Sequence, residues 1–284
     1  MKDKTKKIAA LAAALATVVT LSGCAAAADE EILEEEVEIT EEENFPAESE
    51  TPEISAPEVS PPEEEPAPVI PAKKTITYFA VQADGVNLRS GAGTSYSVAG
   101  TAEKSTLMEY DGEVDGWYRT KYRDKTVYIS KKYCTLVVMD KSENEQVEAV
   151  ISQGCNFLGT PYVYGAVRLH DGKGNMLKGF TKNAFDCSSL MQYMFYEGAG
   201  KLLNVTTRTQ VSQGKTVSKS QLKRGDLMFF TNASRKNNTG VERIGHVAIY
   251  LGDNYILHTA SDYAKIEQIS ATRWGYFIQA QRML

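Results

Sequence analysis

The chain has 284 residues, three histidines, four cysteines and a formal net charge of -6. That length allows one large domain or two modest ones. Cys24, Cys134, Cys155 and Cys187 match no zinc ribbon and no CxxC pair, and their sparseness excludes a disulfide framework. The mean charge hides a division: residues 29–72 hold seventeen Asp or Glu and no Lys or Arg, so residues 73–284 carry a surplus of about eight positive charges. A basic body suits an anionic surface, although the same surplus serves equally as solubilising charge. No basic–aromatic motif points to nucleic acid as a partner.

In chain order, Met1–Lys7 is basic and Ile8–Leu21 is apolar. A basic stretch before a short apolar run predicts a signal peptide over residues 1–23, too short to span a membrane comfortably. Leu21-Ser22-Gly23-Cys24 resembles the lipobox of bacterial lipoproteins, which implies a lipid anchor on Cys24 at the outer face of the cytoplasmic membrane. Cleavage near Ala25–Ala28, with Cys24 incidental, is the alternative. Residues 24–73 then form an acidic tether, with eight of the nine prolines between residues 29 and 72. Such a segment cannot bury enough apolar surface to offset its ordering entropy, so disorder and an extended reach on the order of 130 Å are expected.

From residue 74 to 139 the pattern changes to short strands over 75–81, 106–110, 117–122 and 126–130, with turn signals at Asp84-Gly85 and Asp115-Gly116. This predicts a small barrel or sandwich. Trp117 is expected in its core and Cys134 as a small buried hydrophobe. Val86-Asn87-Leu88-Arg89-Ser90-Gly91, Gly116-Trp117-Tyr118 and Val127-Tyr128-Ile129 resemble the bacterial SH3-type domain. That resemblance implies wall targeting or substrate positioning.

Val147, Val150, Ile151, Cys155 and Leu158 recur at helical spacing, predicting a helix over 146–158 that stops at Gly159. Cys155 lies on its apolar face, where a thiol is inert. Cys187 instead opens a second helix, with Leu190, Met191, Met194 and Phe195 on one face and Gly198 as the expected stop. A helix N-terminus favours a thiolate. Three histidines could serve it. His170 reads as part of a solvent-facing loop, whereas His246 and His258 open and close a hairpin around Gly252-Asp253-Asn254. A three-residue loop pairs Leu251 with Tyr255 and Ala248 with His258 and puts both imidazoles on one face; a two-residue loop would separate them. The expected constellation is a thiol–imidazole pair with an orienting third group. A metal site of Cys187, His246 and His258 lacks ligand spacing, and neither metal nor cofactor is expected.

Pro161-Tyr162-Val163-Tyr164-Gly165, Phe185-Asp186-Cys187-Ser188-Ser189, Arg208-Thr209, Arg224-Gly225-Asp226-Leu227, Gly245-His246-Val247-Ala248 and Ile256-Leu257-His258 resemble the ordered motifs of the NlpC family of papain-like cell-wall cysteine peptidases. The resemblance covers residues 145–284. It implies an α+β fold, helices packed on an antiparallel sheet, preceded by the SH3-like barrel. It implies Cys187 as nucleophile, His246 as base, His258 as orienting residue and Tyr162 near the oxyanion. Asp186 and Ser188 would line the pocket that meets the free amine of a peptidoglycan stem peptide. A carboxylate beside a nucleophile disfavours the thiolate, so Asp186 is independently easier to understand with a cationic partner. The implied reaction is cleavage of the γ-D-glutamyl–diamino acid bond by an exported monomer reaching into the wall. An amidase or acyltransferase on the same scaffold, and a non-catalytic wall-binding lipoprotein, are the alternatives. Ala166 and Ser189 stand where the family commonly has glycine. Residues 167–184 look longer than the family's usual connection and are expected to wall the cleft, which bears on substrate preference.

Overall fold

A computed structural model describes residues 73–284; the expected signal peptide at 1–23, Cys24 and all but the last residue of the tether lie outside the described residues. Alternating apolar and polar residues in the first part give eight short strands. They are β1 (Thr75–Val81), β2 (Val86–Arg89), β3 (Val98–Ala102), β4 (Leu107–Glu109), β5 (Glu113–Val114), β6 (Trp117–Tyr122), β7 (Lys125–Ser130) and β8 (Cys134–Asp140). Helices α1 (Glu145–Asn156), α2 (Cys187–Ala199) and α3 (Thr207–Gln210) follow. The chain closes with β9 (Lys215–Val217), β10 (Leu227–Phe230), β11 (His246–Gly252), β12 (Tyr255–Ala260), β13 (Tyr263–Gln268), α4 (Ala271–Gly275) and β14 (Phe277–Arg282). Among the described residues no helix is long and apolar enough to cross a membrane.

The strands make two antiparallel sheets. One runs β3-β2-β7-β6-β5; the other runs β8-β1-β4-β13-β12-β11-β10-β14-β9. The larger sheet is shared: β4 of the small β region pairs with β13 at Leu107 and Ile266. The period-two alternation of the inner strands sorts their side chains into two cores. Val247, Ile249, Leu251 and Leu257 join Ile151, Leu190, Met191 and Met194 on the side of α1 and α2. Met228, Phe230, Ala248, Ile256 and Ala280 pack on the other side beneath Trp274 and Phe277. Each Val, Leu, Ile, Met or Phe side chain so buried contributes about 1.5–3 kcal/mol.

Three local features differ from expectation. The alternation of β6 turns Tyr118 and Thr120 inward and leaves Trp117 half-buried, so Tyr118 is the core aromatic, edge-on to Tyr110 at 5.1 Å. Cys134 is half-buried rather than buried. Gly198 does not stop α2, which continues to Ala199 and is capped by Gly200. Glycine at 198 serves packing: a Cβ there would stand 2.5 Å from Val150 Cα, where α1 passes.

Candidate active site

The head of α2 is built by Asp186. Its Oδ1 accepts the Ser189 N–H at 2.8 Å while its own N–H donates to Ser189 Oγ at 2.8 Å, a reciprocal capping box. Losing such a cap costs about 1 kcal/mol. From Cys187 to Phe195 the helix is buried on every side, so the cap fixes a position already set by the core. Cys187 keeps only 7% exposure. Its sulfur faces the backbone N–H groups of Ser188 and of Val247, the residue after His246 on β11.

Burial, and after it the neighbouring Asp186, pushes the Cys187 thiol up to about 12, with the two N–H groups and Arg168 pulling in the other direction. The helix N-terminus favours the thiolate expected there, whereas burial favours the thiol. Desolvation outweighs the dipole.

The histidine hairpin reaches its expected arrangement by an unexpected turn. Asp253 and Asn254, at φ 46° and 65°, form a two-residue loop that pairs Gly252 with Tyr255. A register slip then bulges out Leu251, after which Tyr250 pairs with Ile256 and Ile249 with Leu257. The bulge supplies the residue that the shorter loop lacks, and the imidazoles share a face. His246 Nε2 lies 2.8 Å from His258 Nδ1, with the rings 5.0 Å apart and nearly perpendicular. The hydrogen-bond partner of the His246 ring is His258 rather than the sulfur. Burial first, then the neighbouring charges of His258 and Arg273, lowers His246 well below the ordinary imidazole range. Burial lowers His258 as well.

Glu267 on β13 also lies beside the histidine pair, a neighbour that its place in the sequence did not suggest. Its Oε1 lies 3.1 Å from His258 Nε2, bent away from ideal hydrogen-bond alignment, and 2.9 Å from Arg273 Nη2. The signal was the pairing of β12 with β13, which sets Lys265 opposite His258 and Glu267 one diagonal step away.

Tyr162 enters a one-residue parallel bridge with Phe185, which brings it beside the head of α2. Burial, then Cys187 and Asp186, pushes its phenol up to about 12. Ser188 Oγ donates to Asp186 Oδ1 at 3.0 Å. His170 is not solvent-facing: it is fully buried against Tyr196, its Nδ1 accepting the Gly172 N–H at 3.0 Å. A polar, glycine-rich stretch concealed that burial, because the apolar surface covering the ring comes from α2. Cys155 is buried as expected, its thiol raised well above the ordinary value by desolvation.

Residues 159–283 match the family model described as NlpC/P60 family, and residues 84–135 match the one described as Bacterial SH3 domain. Peptidoglycan DL-endopeptidase CwlO of Bacillus licheniformis is 32% identical over 148 residues, 51% of this chain and 29% of that protein. Peptidoglycan endopeptidase RipA of Mycolicibacterium smegmatis is 36% identical over 114 residues, 40% of this chain and 21% of that protein. The chain spans less than a third of the length of either relative. A crystal structure of an NlpC/P60 family protein from Bacillus cereus aligns with TM-score 0.39 and 21% identity, over 74% of this chain and 64% of that one.

Proposed function

Because the chain carries an NlpC/P60 domain behind a bacterial SH3 domain, we propose that it is an exported peptidoglycan hydrolase. In this reading it is a cysteine endopeptidase that cuts stem peptides at the γ-D-glutamyl–diamino acid bond, anchored through Cys24 and working as a monomer. The observation that carries the reading is a capped cysteine at the head of a buried helix, set against the strand that presents a hydrogen-bonded histidine pair.

Burial favours the thiol and the neutral imidazole as the starting forms. As Cys187 Sγ attacks the carbonyl carbon, its proton passes to His246 Nδ1, the nitrogen that His258 does not engage. The negative charge moves to the carbonyl oxygen, where backbone N–H groups at the start of α2 and the Tyr162 hydroxyl stabilise it. His246 returns the proton to the leaving amine as the C–N bond breaks, leaving a thioester on Cys187. Water, deprotonated by the same imidazole, then releases the acid and the thiol.

Replacing Cys187 by Ala should abolish release of peptide fragments from purified wall while leaving wall binding intact; retained release would overturn the nucleophile assignment. A second reading, wall binding without catalysis, draws on the neutral and nearly enclosed thiol. Wild-type protein that binds wall, releases nothing and reacts with a thiol electrophile no faster than a model thiol would favour it.

A further inference from the structure

The carboxylate flanking the proposed nucleophile has all its partners within the chain. Asp186 Oδ1 accepts from Ser189 N at 2.8 Å and Ser188 Oγ at 3.0 Å, and Oδ2 accepts from Arg168 Nη2 at 2.8 Å and Gly165 N at 3.3 Å. Gly165 reaches it from φ 76°, a conformation that favours glycine. A carboxylate offers about four lone-pair sites, so a further donor has to displace one of these.

Two of the four donors are backbone N–H groups and a third is the Ser188 hydroxyl of α2; the only cation among them is Arg168. It is firmly held: Nε donates to Val205 O at 3.0 Å and Nη1 to Ala166 O at 2.8 Å. Nη2 also reaches Ser188 Oγ at 3.3 Å, and the side chain is only 17% exposed. An ammonium arriving at Asp186 would leave this guanidinium unpaired, partly buried and beside a second cation. A neutral amide meets no such opposition.

We infer that Arg168 is a specificity-determining residue, occupying from within the chain the cation position at Asp186 and Ser188. The substrate it selects is a stem peptide whose L-alanyl nitrogen is acylated, as it is while the stem is still joined to the glycan, rather than one with a free amine. This rests on the hydrolase reading above and replaces, for this chain, the amine contact expected of Asp186. It also gives residues 167–184 a role at the cleft through their second residue.

The test uses the full chain and two stem tetrapeptides, each made with either common diamino acid, differing only in a free or an N-acetylated L-alanyl nitrogen. The wild type should cleave the acetylated peptide with kcat/KM at least equal to that for the free amine. Arg168→Met should move the ratio towards the free amine by about tenfold or more, the scale of a charge-assisted hydrogen bond. Arg168→Lys, which keeps the cation, should hold the wild-type ratio. A wild type that prefers the free amine by about tenfold, or a folded Met variant with an unchanged ratio, would overturn the inference alone. A wild type that cleaves neither peptide nor purified wall would overturn the hydrolase reading beneath it.

Discussion

Glu267 stands behind the histidine pair, its carboxylate nearest to His258 Nε2. A carboxylate can only accept, so a proton on His258 Nε2, 3.1 Å from Glu267, would leave His258 Nδ1 to accept from His246 Nε2. In that arrangement His246 Nδ1 would be bare, as the proposed base requires. Glu267 also raises the proton affinity of both rings, against the burial that lowers it. With His246 held below 6.5, the acid limb of kcat/KM should lie below that pH. Glu267→Gln removes the raising influence and should move the limb lower still while reducing kcat; an unmoved limb in the paired pH profiles would count against this positioning role. The same residue bears on acid stability. Burial raises its carboxyl, but His258, Arg273 and Lys265 together hold it at about 2 against an ordinary 4.5. A depressed carboxyl stabilises the fold fully above its unfolded value, and that contribution is lost as pH falls from 4.5 to about 2. Urea titrations of wild type and Glu267→Gln should therefore converge across that window.

At the scale of elements, α2 and the β11–β12 hairpin do the positioning, and each depends on a departure from regularity. Gly198 would cost α2 about 1 kcal/mol relative to alanine in an exposed helix, yet here it permits the close crossing with α1 at Val150. Gly198→Val should overpack that crossing and cost about 1–3 kcal/mol, seen as a lower denaturant midpoint with an unchanged m value. The bulge at Leu251 matters in the same way. Without the extra residue, a two-residue turn would reverse the alternation and send His246 and His258 to opposite faces.

The whole molecule is joined by more than the short β4–β13 contact. Arg224 grips both oxygens of Glu148 on α1, at 2.7 and 2.9 Å, and donates to Leu251 O at 2.8 Å and to Tyr78 Oη on β1 at 2.9 Å. One guanidinium thus ties the small β region, the first helix and the histidine strand together. Removing one partner of a buried pair leaves an uncompensated charge, so Arg224→Met should destabilise the protein by about 3–5 kcal/mol. Because β1, β4 and β8 belong to the same sheet as the hairpin, the wild-type residues 73–284 should unfold in one transition. Equilibrium unfolding followed by circular dichroism and by tryptophan fluorescence checks both expectations, and separated transitions would refute the second.

The amino-acid sequence by itself determined the mixed architecture and the helix that begins at Cys187, because hydrophobic period and capping residues are local and the residues concerned obey them. The shared face of His246 and His258 was expected from a three-residue loop, but it is reached through a two-residue loop and the bulge at Leu251, which no local pattern announced. The other outcomes that needed tertiary structure all involve partners distant in the chain. Arg168 meets Asp186 across 18 residues, Glu267 reaches His258 through sheet pairing, and His170 is covered by a helix more than a turn of chain away. Burial also pushes the Cys187 thiol up, against the thiolate that a helix end favours locally, because the loss of water around it depends on everything packed above. Local pattern fixes which groups stand near one another along an element; only packing decides what neutralises them.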